Sequence, residues 1–380
     1  KSKYKDALLF YRMGDFYELF FEDAEIASAA LNITLTKRGR HNGDDIAMCG
    51  VPYHSSENYI SNLIRKGHKV AVCEQLEKPE EAKKRGYKAV VNRGVVRLIT
   101  PGTLTEENLL ETQRNNYLFA FHQDKDNCSA AWADISTGDF NIASVEKNDI
   151  GSLISRVNPS EILVSKENRT LMNDIANEYC ITLTAIEEIN PDTEFLSNRI
   201  KNKYFKDGFE NFEQTELMAI GRLFQYLELT QCGEMPILNP PVREKTSGQL
   251  EIDSASRRNL ELTETLSGQK KGSLLNTINL TMTTVGARLL ETRLKSPSIK
   301  KEEIENRLDI ISFFTKNHKI LDNLRNDLKK IPDMERALSR LGLNRGSPRD
   351  LCIIRDGIKY SQIISTYFDV DSLPKNLSKK

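Results

Sequence analysis

Gly14-Asp15-Phe16-Tyr17-Glu18 is the segment of this 380-residue chain whose residue types and spacing best suggest chemistry. On a helix, at 100° per residue, Phe16 and Glu18 would point about 200° apart. On a strand, i and i+2 share a face, and an aromatic ring and a carboxylate project side by side. Gly14 just before them would permit a tight backbone approach. Such a pair offers a flat apolar surface for stacking and an acceptor for hydrogen bonds. The competing reading is a core Phe beside a rim Glu.

Other chemistries find little support. GxxxxGK[ST], HExxH and GxSxG are all missing, and Ser267 to Ser273 (SGQKKGS) has only the composition of a phosphate loop, not its spacing. Cys49, Cys73, Cys128, Cys180, Cys232 and Cys352 form no CxxC pair, so a zinc ribbon or dithiol centre is not expected. The five histidines are scattered. No metal site and no catalytic residue is predicted.

The elements that must position Phe16 and Glu18 lie in a block mixing strand and helix signals. Residues 7–20 are rich in aromatic and aliphatic side chains, interrupted by Gly14. Residues 22–31 read as a helix with acids in the first turn. Residues 58–64 read as a short helix before Gly67, and 69–74 and 95–100 as strands. Pro101-Gly102 breaks the pattern, and the acids that follow mark a linker over 101–116. Next comes a meander of strands at 117–122, 129–134 and 139–145. A helix at 150–157, a strand at 161–164 and a long helix at 216–229 complete a second α/β block, which Pro236, Pro240 and Pro241 close.

The remainder reads as helical. Ile304, Leu308 and Ile311 share one helix face. Pro332 suits a first helical position, with Gly342 as a stop. Ser347-Pro348-Arg349-Asp350 carries a Ser N-cap, Pro at N1 and Asp at N3. The expected fold is therefore multidomain, α/β followed by all-α.

Lys plus Arg and Asp plus Glu both number 54, but the zero sum hides blocks. Residues 1–100 carry net +4, 101–246 net −11 and 247–380 net +7. Two basic blocks around an acidic one are compatible with nucleic acid at the ends and protein or solvent in the middle. No run approaches the roughly 20 apolar residues of a membrane helix. The start, Lys1-Ser2-Lys3-Tyr4, has neither the apolar run of a secretory signal nor an initiator Met. A cytoplasmic chain cut from something longer is expected, with its thiols reduced.

Phe10-Tyr11-Arg12-Met13-Gly14-Asp15-Phe16-Tyr17-Glu18-Leu19-Phe20 resembles the mismatch-recognition motif of the bacterial MutS DNA mismatch-repair family. Leu35-Thr36-Lys37-Arg38-Gly39, Gly50-Val51-Pro52-Tyr53-His54, Val70-Ala71-Val72-Cys73-Glu74-Gln75 and Thr100-Pro101-Gly102-Thr103 follow in the family's order. Asp134-Ile135-Ser136-Thr137-Gly138, Arg258-Asn259-Leu260-Glu261 and Asp333-Met334-Glu335-Arg336 extend the match along essentially the whole chain. Each motif alone is weak, whereas the ordered set is specific.

The resemblance implies a mismatch-binding domain at 1–100, a linker at 101–116 and a connector similar to ribonuclease H at 117–245. The first part of a helical core and lever would occupy 246–380. It implies recognition of mispaired or unpaired bases in double-stranded DNA, including small insertion or deletion loops. Phe16 would enter the minor groove, and Glu18 would contact the displaced base. An apolar wedge between base steps costs a few kcal/mol in unstacking, less where pairing is already weak. The readout is then chiefly of deformability.

Glu18 can hydrogen-bond a base edge and, as an anion, weakens binding where no displaced base compensates. Met13 would be either an apolar neighbour of the wedge or a core residue, and Lys37 and Arg38 would supply phosphate or groove contacts. Tyr53 and His54 either approach DNA or brace the domain. Arg257 and Arg258 are expected in ion pairs. The resemblance also implies ATP and Mg2+ bound by a region beyond this chain, a homodimer in the full-length protein, downstream repair proteins at the connector and a location on the nucleoid. This chain itself would need no cofactor and hydrolyse nothing. Two rivals stand beside it. One is a protein-interaction scaffold, and the other a metal-dependent nuclease begun by Asp134 and Asp139 in the connector.

Overall fold

A hairpin opens the first domain. β1 (Ala7–Met13) and β2 (Phe16–Phe20) are antiparallel, with Met13 opposite Phe16 and only Gly14 and Asp15 between them. Gly14 has φ +61° while Asp15 stays at negative φ, the pattern of a II′ turn with Gly at its first central position. No atom beyond its chain neighbours would lie within 4 Å of a Cβ at Gly14. Within the described residues the glycine serves the positive φ that the turn requires. The computed structural model describes all residues except 42, 87–89, 126, 188–211, 245–247, 369–372, 375–376 and 378–380.

Three further strands flank this hairpin on one side or the other: β3 (Thr36–His41), β4 (Asp44–Pro52) and β5 (Lys69–Gln75), with β6 (Arg93–Ile99) beyond β5. The sheet order is β3-β4-β2-β1-β5-β6, with β1 parallel to β5 and the other pairs antiparallel. One face is covered by α1 (Glu22–Leu31) and α2 (Ser56–Arg65). Phe10, Tyr17, Leu19, Val51 and Val72 meet Ala24, Ala27, Ile60 and Leu63 there. Burying each large apolar side chain contributes about 1.5–3 kcal/mol, before the entropy of ordering the chain. A short helix, α3 (Pro79–Lys84), precedes β6.

Residues 101–116, expected as a linker, contain no regular element, and part of the stretch packs into the first domain. Pro101, Gly102, Thr103, Leu104 and Thr105 are buried, and Leu104 and Leu110 belong to the first domain's core. The expectation of a linker rested on its acids; the apolar residues between them are what the fold uses.

The second domain has the predicted meander: β7 (Leu118–Asp124), β8 (Asn127–Asp134) and β9 (Asp139–Glu146). β10 (Glu161–Ser165) and β11 (Thr182–Ile186) extend it in parallel on one side, and β12 (Val242–Arg243) pairs with β9 on the other. α4 (Ile150–Val157) and α5 (Arg169–Glu178) cover one face, and the long α6 (Gln214–Thr230) the other. The sheet is mixed and sandwiched between helices, as alternating strand and helix signals require.

The third region is helical: α7 (Ser254–Asn259), α8 (Leu274–Ile278), α9 (Thr284–Lys295), α10 (Lys301–Lys316), α11 (His318–Leu328), α12 (Met334–Gly342) and α13 (Pro348–Ser365). Ser347, Pro348 and Asp350 form the predicted start, with a reciprocal capping box. Pro332 does not begin its helix. Asp333 is the N-cap, its carboxylate accepting from the Arg336 N–H, so Pro332 sits one residue outside. Arg257 is structural, but through backbone: it donates to the Ile252 and Lys295 carbonyls. Its burial lowers the guanidinium to about 10. The ion pairs expected of Arg257 and Arg258 are not formed among the described residues.

Candidate nucleic-acid interface

Strand alternation decides which way the hairpin's side chains face. Tyr17 and Leu19 go into the core, while Phe16, Glu18 and Phe20 go to the other face. Phe16 is 48% exposed, which removes the core reading of this residue. Across the turn, Met13 stands opposite Phe16 and Tyr11 opposite Glu18. On the other side Pro52 pairs with Phe16, and Gly50 pairs with Glu18. A Cβ at Gly50 would lie 3.9 Å from Phe16 Cδ1 and 3.8 Å from Glu18 Cγ. With no side chain there, the floor between ring and carboxylate stays open.

Glu18 is partnered. Arg38, on the edge strand β3, places Nη1 at 2.5 Å from each carboxylate oxygen. The carboxylate is mostly covered, its side chain 13% exposed, while Arg38 remains half exposed. Lys37, next in sequence, is turned to the opposite face of the sheet. It pairs with Ala47 in register, and its ammonium meets Asp45 at 3.0 Å. Arg40 joins the same carboxylate at 3.2 Å. Those two cations hold the Asp45 carboxyl below its usual range. The neighbouring basic residues of β3 thus serve different faces, and Arg38 is the one that reaches the Glu18 carboxylate.

Tyr53 and His54 follow β4 in a short 3-10 turn, and both are exposed. Tyr53 braces the hairpin from behind: its N–H donates to the Asp15 carbonyl at 2.8 Å, and its ring stands against Arg12 and Tyr17. Burial and the adjoining Glu74, which accepts from the Tyr17 hydroxyl, push the Tyr17 phenol well up. His54 makes no contact with Phe16 or Glu18 among the described interactions.

Residues that sequence reasoning passed over complete the surface. Tyr11 was findable, because a two-residue turn at Gly14-Asp15 fixes Tyr11 opposite Glu18. Arg93 was not, since its place depends on β6 joining the far side of β5. Its guanidinium carbon lies 5.2 Å from the Tyr11 ring centroid, and its Nε–H donates to the Arg12 carbonyl at 3.0 Å. The exposed sheet face therefore presents Phe16, Met13 and Tyr11 as an apolar patch with Glu18 inside it. Arg38 stands at one side and Arg93 at the other. That arrangement can stack on a planar ring, accept a hydrogen bond beside it and draw a polyanion across both.

Asp134 and Asp139 do not form a metal centre. Asp134 is fully buried and accepts from the Ser136 hydroxyl and N–H and from the Asn116 N–H. Its surroundings raise the carboxyl chiefly through burial. Asp139 instead accepts from the Tyr117 hydroxyl at 2.7 Å. Among the described residues, no three His, Cys, Asp or Glu side chains are grouped to hold a metal ion.

Three family models match in succession: MutS domain I over residues 1–108, MutS domain II over 116–239 and MutS domain III over 255–379. The chain belongs to the MutS family. Similar relatives include the "DNA mismatch repair protein MutS" of Roseobacter denitrificans, 49% identical over 381 residues, covering 100% of this chain and 43% of the relative. That of Ruegeria pomeroyi is 49% identical over 378 residues, covering 98% and 43%. That of Cereibacter sphaeroides is 48% identical over 375 residues, covering 98% and 42%. The chain thus spans less than half the length of the curated relatives it matches. The MutS architecture agrees with two mixed α/β units followed by a helical region. No helix among the described residues is long and apolar enough to cross a membrane.

Proposed function

We propose that this chain recognises mispaired or unpaired bases in double-stranded DNA, including small insertion or deletion loops, as the first step of mismatch repair. The observation that carries it is the exposed Phe16 at the head of a strand, beside a carboxylate held by Arg38 on the sheet face opposite α1 and α2. Phe16 enters the minor groove and stacks on the loosened base, kinking the duplex. The kink costs a few kcal/mol at a stacked step and less at a mispair, so deformability is what is read. Met13 lines the wedge on the turn side. Glu18 contacts the displaced base, and Arg38 and Arg93 engage backbone phosphates on either side. Lys37, Tyr53 and His54 lie behind or beside this surface and reach DNA only at its margins.

Catalysis is not part of the reading. ATP and Mg2+ act elsewhere in the full-length protein, which is a homodimer, and the chain has no phosphate loop to hold them. The connector is the protein-interaction part, contacting downstream repair proteins, and the net charge of −11 over residues 101–246 favours that role over nucleic acid. The setting is the cytoplasm, on the nucleoid.

The test is a titration at one fixed salt concentration with the full-length protein and its Phe16→Ala variant. The duplexes are a matched one and the same duplex with one G·T mispair. Loss of the mispair preference in the variant supports the wedge; an unchanged mismatch-to-match ratio removes it.

A further inference from the structure

Arg12 sits directly behind the turn that presents Phe16. It alternates with Tyr11 and Met13 along β1, so it points to the helix-covered face, away from Phe16 and Glu18. Its guanidinium carbon lies 3.3 Å from the Tyr53 ring centroid and 5.5 Å from that of Tyr17. Its Nε–H donates to the carbonyl of Gly14, the first residue of the turn. The carbonyl of Asp15, the second, accepts from the Tyr53 N–H at 2.8 Å. Tyr17 is itself fastened to β5 through Glu74, and the Arg12 carbonyl accepts from Arg93 on β6. Both carbonyls of a two-residue turn are thereby tied to the body of the domain. One nitrogen of Arg12, Nη1, is buried without a hydrogen-bond partner. What holds that end of the guanidinium is the aromatic stack.

We infer that Arg12, packed on Tyr53, is a positioning residue for base recognition: it locks the Gly14-Asp15 turn so that Phe16 meets the duplex as a rigid wedge. The inference rests on the wedge reading of Phe16. A wedge on a yielding turn would bend away from a stiff base step, and its ordering would have to be paid on binding. Held rigid, it enters only where the duplex gives, which is what separates a mispair from a matched step. Lysine cannot replace Arg12 in this role, because it lacks both the planar group for the stack and the Nε–H at that position.

The experiment compares the full-length protein with Arg12→Lys, Arg12→Met, Tyr53→Phe, Tyr53→Ala and Phe16→Ala, on a matched duplex and on one with a G·T mispair, over a range of salt. Arg12→Lys is expected to lower the mismatch-to-match ratio about tenfold. Tyr53→Ala should follow it, while Tyr53→Phe, which keeps ring and N–H, should hold the parental ratio. The salt slope of Arg12→Met should equal the parent's. A parental ratio in Arg12→Lys, or a slope smaller by about one unit in Arg12→Met, would make Arg12 an ordinary phosphate contact and overturn the inference. Should either Arg12 variant melt early, the Tyr53 pair decides. If Phe16→Ala keeps the ratio, the wedge reading fails and this inference falls with it. If only the Arg12 and Tyr53 variants keep it, the wedge stands and the clamp does not.

Discussion

Arg38 and Glu18 face each other across the sheet with one guanidinium nitrogen 2.5 Å from both carboxylate oxygens. In the DNA-free protein each therefore neutralises the other. On the function proposed above, a phosphate arriving at this face would compete with Glu18 for Arg38, and a matched duplex would offer the released carboxylate no displaced base in return. Glu18→Gln should free Arg38 and remove the repulsion. Binding to the matched duplex should tighten more than binding to the mispair, and the salt slope should steepen by about one unit. Arg38→Gln should weaken both duplexes alike. Titrations of the two variants and the double variant check this, and equal effects of Glu18→Gln on both duplexes would refute it.

Glu161 fastens the sheet of the first domain to the second domain. Its side chain is fully buried and accepts from the Thr100, Thr184 and Tyr226 hydroxyls and the Gly102 N–H. Lys69, the first residue of β5, stands 3.4 Å away. A Cβ at Gly102 would meet Leu118 Cδ1 at 2.7 Å and Glu161 Cβ at 2.9 Å. Gly102→Ala should cost about 1–3 kcal/mol through overpacking. Glu161→Leu removes the carboxylate beside the half-buried Lys69 and the acceptor of the buried Tyr226 hydroxyl, and should cost about 1–3 kcal/mol. Chemical denaturation of both variants measures these losses, and wild-type midpoints would contradict the packing described.

The hairpin was legible in the sequence because its turn and its alternation are local. Gly14 and Asp15 break two aromatic-rich runs, and the period of two then places Phe16 beside Glu18. β3, with the sequence TKRGRH, was not legible. It is a polar edge strand, exposed throughout, held by pairing with β4 and not by apolar periodicity. The pairing of Arg38 with Glu18 therefore could not be seen before β3 was placed. Ile304, Leu308 and Ile311 do share a helix face, yet they are 39%, 54% and 57% exposed. Periodicity fixed which side of α10 is apolar, while what covers that side depends on tertiary packing. Leu104 and Leu110 show the converse, core residues in a stretch whose acids suggested a linker.

The Asp333-Met334-Glu335-Arg336 motif secures residues 111–114. Arg336 donates to the Glu111 and Arg114 carbonyls at 2.8 and 2.7 Å, and Arg288, paired with Asp333, donates to the Thr112 carbonyl at 3.1 Å. Buried guanidiniums thus satisfy carbonyls that no sheet or helix claims. Arg336→Met should loosen this segment without unfolding either α/β unit. Brief trypsin treatment should then cut after Arg114 at least several times faster than in the wild type. An unchanged cleavage rate there would show that the segment is held by other contacts.

His122, in β7, supplies a pH test of the second domain. Burial, aided by Arg222, lowers its imidazole to about 4 from the ordinary 6.5, and its Nδ1 is buried without a hydrogen-bond partner. The fold therefore prefers the neutral ring. Between pH 6.5 and 4 the unfolded chain binds a proton that the folded one refuses, so this contribution is whole above pH 6.5 and is lost as pH falls through that window. The shift would be worth about 3 kcal/mol for a fully buried group; partial exposure of His122 brings the expectation nearer 1 kcal/mol. His122→Gln should remove that share of the acid sensitivity, since glutamine does not titrate. Denaturation at pH 7 and pH 4.5 isolates the effect, because the carboxylates contribute equally to both proteins. If the stability loss between these pH values is the same in the variant and the wild type, His122 is not held neutral by the fold.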